Sequence, residues 1–256
     1  MMFDFWVRTS GTWMNVATVL VGTGLGLLLK NQLPQRIQNT ITQGMGLITL
    51  YLGMSMAGNL TQGQAGTVDG VVLAVMSLTL GGLLGEWWQL EERLNAIGSQ
   101  LKIWFRGGGR FTEGFVTASL LFCVGPLTLI GSLNNGLTGD NSLIALKATM
   151  DGLVSIALTG SYGIGVGFSI FTIIIVQGGI SLLAGSLTHI VPDPANDPRI
   201  FLVTGVGGII MLGLGLNLLN IGKLRIASFL PALALAPLIY AIAQTIQRTI
   251  ASWFTP

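Results

Sequence analysis

Charge is the scarcest property of this chain: only 9% of its 256 residues are Asp, Glu, Lys or Arg, against about 25% in soluble globular domains. With 51% hydrophobic residues, it reads as a polytopic membrane protein. The lone cysteine, Cys123, excludes an intrachain disulfide. With the lone histidine, His189, it also excludes metal centres built from several Cys or His ligands. The net charge of +2 is scattered, with no basic patch interleaved with aromatics, so nucleic acid is excluded as a partner. A nucleophile elbow, a P-loop and paired metal ligands are missing. GVGGII at Gly205 resembles the start of a glycine-rich nucleotide loop, but no strand precedes it. The expectation is a non-enzyme without cofactors.

What is present is a series of apolar runs. Spans need about 20 mostly apolar residues, and eight candidates meet that need: 12–29, 37–57, 69–85, 113–131, 142–161, 163–186, 200–220 and 226–246. Asp4 and Arg8 precede the first run and no small-residue cleavage pattern follows it, so it reads as a retained span rather than a signal peptide. Lys30, Arg36, Arg93, Lys102, Arg106, Arg110, Lys223 and Arg225 fall in alternate connections. The opposite side carries only Arg8, Arg199 and Arg248. Excess positive charge stays cytoplasmic, so both termini, His189 and the proline-bearing segment VPDPANDPR are expected outside.

The segment 86–106 is helix-length but too polar for a span. Trp87, Leu90, Leu94, Ile97, Leu101 and Trp104 fall on one face, which predicts an amphipathic helix lying on the membrane; a soluble cap on the bundle is the alternative. Gly22 with Gly26, Gly81 with Gly85 and Gly163 with Gly167 make GxxxG steps, which suit close packing within the chain or, alternatively, a homo-oligomer face. An internal repeat is visible. GLITLYLGMSM (46–56) matches GIIMLGLGLNL (208–218) at Gly46/Gly208 and Gly53/Gly215 among others, and VGTGLGLL (21–28) sparsely matches VQGGISLL (176–183). The pairing shifts the span count by an odd number, so the units 12–85 and 163–246 would be inverted about a central two-span insert, 111–161. Chance similarity in low-complexity apolar sequence is the alternative.

Chemistry concentrates between 111 and 160. Lys147, Asp151, Ser155 and Thr159 recur every four residues and make one polar stripe on the fifth span. A charge at mid-membrane costs on the order of 2.5–3.5 kcal/mol and marks a candidate site. A structural ion pair that fixes helix rotation is the competing reading. Pro126 lacks an amide hydrogen and so leaves the Phe122 carbonyl without its helical partner, a ligand in a broken helix or a harmless kink. Glu113 opens the fourth span. Asn15, Gln177 with Ser181, and Asn217 with Asn220 add polar groups to other spans, as ligands or as interhelical glue.

The stretches GEWWQLEERL, EGFVTASLLFCVGPLTLIGSLNNGLTGDNSLIALKATMDG and GVGGIIMLGLGLNLLNIGKLRIASFLPAL resemble the YqgA/YdfK-like membrane proteins, domain of unknown function 554. The resemblance runs over nearly the whole chain. It implies a bacterial inner-membrane protein and carries the label of a sodium channel or pump, with no catalytic residues to transfer.

Together these readings predict an all-α polytopic transmembrane bundle in contact with lipid. The expected function is transport or conduction of a small polar solute or cation, sodium among them. Asp151 and Glu113 would exchange charge, Lys147 would act as a tethered counter-charge, and the Phe122 carbonyl and Gln177 would serve as neutral ligands. The alternative is a non-transporting scaffold or sensor acting through a partner protein.

Overall fold

In hydrocarbon a backbone must satisfy its own hydrogen bonds, so apolar runs become helices. A computed structural model describes residues 2–30, 34–187 and 196–254, and among these all regular structure is helical, with no strand. His189 and Asp193, expected in an external loop, lie outside the described residues. The helices are α1 (Met2–Arg8), α2 (Ser10–Lys30), α3 (Gln35–Ala57), α4 (Gly70–Trp87), α5 (Leu90–Trp104), α6 (Phe111–Cys123), α7 (Pro126–Thr138) and α8 (Ser142–Tyr162). A composite segment follows: a 3-10 stretch (Ile164–Ser169), α9 (Ile170–Ile173), a π-helical turn (Ile174–Gly178) and α10 (Gly179–Leu187). The last two long helices are α11 (Pro198–Leu218) and α12 (Pro231–Phe254).

Helix starts and stops follow local chemistry. Asp69 caps α4 by accepting a hydrogen bond from the Val71 amide at 2.7 Å, and Asp197 caps α11 through the Arg199 amide at 2.8 Å, with Pro198 in the first turn where its missing N–H costs nothing. Gly139 (φ 76°) ends α7 and Gly163 (φ 88°) ends α8, in backbone conformations that glycine reaches without strain.

Glycines fix how the helices run. Gly11 lies against Ile144, Gly22 against Gly152 and Gly26 against Thr159, so α2 and α8 are parallel and in close contact. Gly46 lies against Gly215 and Gly53 against Gly208, so α3 and α11 are antiparallel. Gly81 lies against Ala232 and Gly85 against Ser228, so α4 and α12 are antiparallel too. The two ends of the bundle are then the near end, where α2 begins, and the far end, where it finishes. Gly114 of α6 packs on Tyr162 at the far end, and Gly139 after α7 reaches Val7 at the near end. The α6–α7 pair therefore crosses the bundle as one span bent by 63°. Gly165 against Phe111 and Gly136 against Ser181 carry the 164–187 segment back from far to near end.

Six helical segments are long and apolar enough to cross a membrane, seven with the bent pair. The expected eighth, α3, is 23 residues long, but Gln35, Arg36, Gln38, Asn39 and Gln43 make its first turns too polar for that criterion. By length and apolarity alone, six or seven of the about eight expected spans are found, and α3, antiparallel to α11, is the further segment that crosses the bundle. Two local expectations also change. The fourth span was expected to end at 131, yet its second half is helical to Thr138. The amphipathic helix begins at Leu90, because α4 extends to Trp87. Its apolar stripe divides: Leu94 and Leu101 pack on the core beside buried Gly98, whereas Ile97 and Trp104 are exposed.

Candidate functional site

Asp151 sits about halfway along α8, and the parallel packing of α2 brings Asn15 to it. The Lys147 ammonium, one turn earlier, donates to Asp151 Oδ2, and Asn15 Nδ2 donates to the same oxygen at 2.9 Å. Asn15 Nδ2 also donates to Gln177 Oε1 at 3.2 Å, from the π-helical turn. All four residues are buried, Asn15 and Gln177 completely. Both donors to the carboxylate converge on Oδ2, and among the described residues no hydrogen bond reaches Oδ1.

The break in the bent span lies beside this pair. Val124, Gly125 and Leu127 share a cavity of about 260 Å³ with Lys147, Asp151, Thr49 and Met211, and the Phe122 ring centroid is 6.0 Å from Lys147 Nζ. The C-terminus of α6 and the N-terminus of α7 thus present opposite dipole ends at mid-bundle, the arrangement in which half-helices serve ion sites. Exposed Ile48 and Met150 form the cavity's outer rim between α3 and α8. Four methionines, Met45, Met56, Met150 and Met211, line it. The sequence signalled none of them, since methionine in an apolar helix looks like any core residue.

Four expected ligands belong elsewhere. The Phe122 carbonyl, freed by Pro126 at the start of α7, accepts a hydrogen bond from Thr128 Oγ1 at 3.3 Å. Ser155 Oγ turns back to the Asp151 carbonyl at 2.7 Å and so serves the backbone. Glu113 pairs with Arg110 at 2.6 Å at the far end, its side chain 58% exposed. Asn217 clamps the 219–226 connection: its amide donates to the Leu224 carbonyl and its oxygen accepts from the Leu224 amide, both at 2.8 Å. Glu113 and Asn217 instead line a second cavity of about 310 Å³ that opens at the far end. Its inner wall, Leu120 and Leu214, lies one turn from Val124 and Met211 of the central cavity. A layer of buried apolar side chains, Leu120, Met211 and Leu214, stands between the two.

The donor set bounds the chemistry. No group of three or more His, Cys, Asp or Glu that could hold a metal ion occurs among the described residues. One carboxylate with neutral amides suits a proton or a monovalent cation, whereas calcium sites gather six to eight oxygens.

Relatives share this chain over most of its length. It is 30% identical over 229 residues to the "Uncharacterized membrane protein YdfK" of Bacillus subtilis (strain 168), covering 90% of this chain and 94% of the relative. It is 29% identical over 233 residues to the "Uncharacterized protein YqgA" of Escherichia coli (strain K12), covering 88% of this chain and 94% of the relative. No solved structure matches it. A family profile described as "Protein of unknown function (DUF554)" matches residues 10–241, and the chain, an all-α membrane protein, belongs to that family.

Proposed function

We propose that this protein is a transporter or channel for a small polar solute or a monovalent cation, sodium included, with Asp151 as the charge-exchanging group and Lys147 as its tethered counter-charge. The observation that carries the reading is the buried Lys147–Asp151 pair at mid-bundle, bordering a cavity beside a broken span. Holding two charges there is costly, and a core that needed only stability would do as well with apolar residues. Asn15 orients the carboxylate as a neutral partner and is itself held by Gln177. The far-end cavity is the access route, closed toward the pair by the Leu120, Met211 and Leu214 layer.

The reading includes two inverted repeats, 12–85 and 163–246, about the insert 111–161. Reciprocal contacts support it. If position 46 corresponds to 208 and 53 to 215, a half-turn between α3 and α11 demands that Gly46 meet Gly215 and Gly53 meet Gly208, and both contacts occur. The same offset relates 66 to 228 and 85 to 247, and Gly66 meets Gln247 while Gly85 meets Ser228. The register that matches 21–28 with 176–183 relates 12 to 167 and 23 to 178; Gly167 meets Thr23 and Gly178 meets Thr12. Inverted units with a site between them are the architecture of many secondary transporters. A helical chain of this kind belongs in the inner membrane, since outer-membrane spanners are closed barrels.

The exposed Trp87, Ile103 and Trp104 around α5 favour a second reading, a scaffold or sensor that engages the membrane surface or a partner protein. Flux through purified protein in liposomes separates the two. Transport predicts sodium, potassium or proton movement that Asp151→Asn abolishes while the protein still folds; undiminished flux in folded Asp151→Asn protein would sink the site assignment.

A further inference from the structure

Six buried side-chain atoms among the described residues have no hydrogen-bond partner within the protein: Thr12 Oγ1, Asn15 Oδ1, Thr23 Oγ1, Ser132 Oγ, Thr159 Oγ1 and Gln177 Nε2. All six lie on α2, α7, α8 and the 164–187 segment. By contrast, the buried hydroxyls of Thr42, Thr49 and Ser77 on α3 and α4 each bond a carbonyl one turn back. The residues that carry the unpartnered atoms neighbour one another along the packing of α2 against α8 and the 164–187 segment. Thr12 lies against Gly178 beside Gln177, and Ser181, one turn beyond Gln177, donates to the Ser132 carbonyl at 3.0 Å. Asn15 meets both Asp151 and Gln177 at the centre. Past it, Thr23 lies against Gly167, and Thr159 against Gly26. From Thr12 to Thr23 these residues cover about 16 Å of α2, half of a hydrocarbon core about 30 Å thick.

Polar side chains also gather at the near end of these helices. Asn135, one turn from Ser132, donates to Ser10 Oγ at 3.0 Å and accepts from the Gly11 amide at 3.1 Å. Ser10 and Asn141 line a surface cleft with Trp6, Val7 and Gly139.

Polar atoms left unpaired in a membrane interior need a partner, and buried water supplies one by bonding about three such groups at once. We propose that a file of water molecules runs from the Ser10–Asn141 cleft past Thr12 and Ser132 to Asp151 and carries protons, so that the proton is the ion Asp151 exchanges. The proposal rests on the transport reading above. In the step, a hydronium ion in the file gives its proton to the unbonded Asp151 Oδ1 and becomes water, and the carboxylate becomes a neutral acid. Lys147, still an ammonium, thereby loses its counter-charge. Release reverses the transfer on the other side of the pair: the acid gives the proton to water, and Lys147 is paired again. The groups that face Asp151 with charge or a titratable proton are Lys147 and the Cys123 thiol; α2, α3, α7 and the 164–187 segment present none among the described residues.

The test uses full-length protein in liposomes holding a pH-sensitive dye, with a potassium gradient and valinomycin driving proton entry. Wild-type protein should conduct protons, Thr12→Val and Ser132→Ala should each cut the rate at least tenfold with an unchanged melting temperature, and Thr12→Ser, which keeps the hydroxyl, should restore it. Removing an unpaired hydroxyl from a dry site stabilises a protein, so a raised melting temperature in Thr12→Val with unchanged proton flux overturns the water file. Asp151-dependent sodium or solute flux without proton movement overturns the proton path and leaves the transport reading standing. Absence of any flux overturns both.

Discussion

Asn15 donates a 2.9 Å hydrogen bond to Asp151 across 136 residues of sequence, and that bond ties the first long helix to the centre of the eighth. It supports a carboxylate that already holds the Lys147 ammonium. The two donors are not equivalent. Asn15 contributes a dipole, whereas Lys147 contributes the charge that makes burial of Asp151 tolerable.

Lys147→Met should therefore destabilise the protein by about 3–5 kcal/mol, because an unpaired carboxylate stays behind in low dielectric. Lys147→Met combined with Asp151→Asn should return stability close to wild type or above it, since both desolvation costs vanish together. Unfolding in mixed detergent measures both. Equal losses in the single and double variants would show that Lys147 acts through packing rather than charge.

Asn217→Ala tests the distinction between clamp and ligand. The side chain satisfies both backbone groups of Leu224 at an exposed connection, where water can replace it, so the loss should be about 1 kcal/mol. Ion flux should be unchanged. A flux defect at preserved stability would make Asn217 a ligand in the access cavity rather than a clamp.

The Lys147–Asp151 pair was legible in sequence because charges four apart in an apolar run have few other readings. Asn15 and Gln177 were visible only as one polar residue per span. Their convergence depends on Gly22 and Gly26 letting α2 approach α8, a contact between segments about 130 residues apart in sequence. Glu113 and Asn217 lie in the end turns of their spans, and polar residues there look like those at the middle when boundaries shift by a few residues. The Phe122 carbonyl misled because a hydroxyl six residues on, Thr128, bends back to it. The π-helical turn at Gln177 carries no sequence signature of its own, so the depth of that side chain was unreadable.

The parallel α2–α8 contact predicts a sharp contrast between two glycines on the same helix. A Cβ on Gly22 would fall 2.2 Å from the Gly152 carbonyl, a backbone atom that cannot step aside, whereas Gly24 has nothing within 4 Å. Gly22→Ala should cost about 1–3 kcal/mol by forcing the helices apart. Gly24→Ala should be neutral or slightly stabilising, since alanine favours the helix. Equal effects measured by unfolding in detergent would contradict the packing.

Orientation is the remaining prediction, and it joins the proton path to the membrane. Arg36, Arg93, Lys102, Arg106, Arg110, Lys223 and Arg225 lie at or beyond the far end of the bundle, while Arg8, Arg199 and Arg248 belong to the near end. Excess Lys and Arg stay cytoplasmic. The far-end cavity should then open inward and the Ser10–Asn141 cleft outward, so protons would reach Asp151 from outside. Single cysteines introduced after Cys123→Ser test this in intact cells. Lys102→Cys and Arg36→Cys should resist a membrane-impermeant maleimide until the cells are opened, and Asn141→Cys should react at once. The reverse pattern would turn the protein over, leaving the file intact and assigning its mouth to the cytoplasm. Labelling of Lys102→Cys and Asn141→Cys from the same side would be more damaging, because the bent α6–α7 pair could then not be a single crossing, and Asp151 would lose its place midway between two separate entrances.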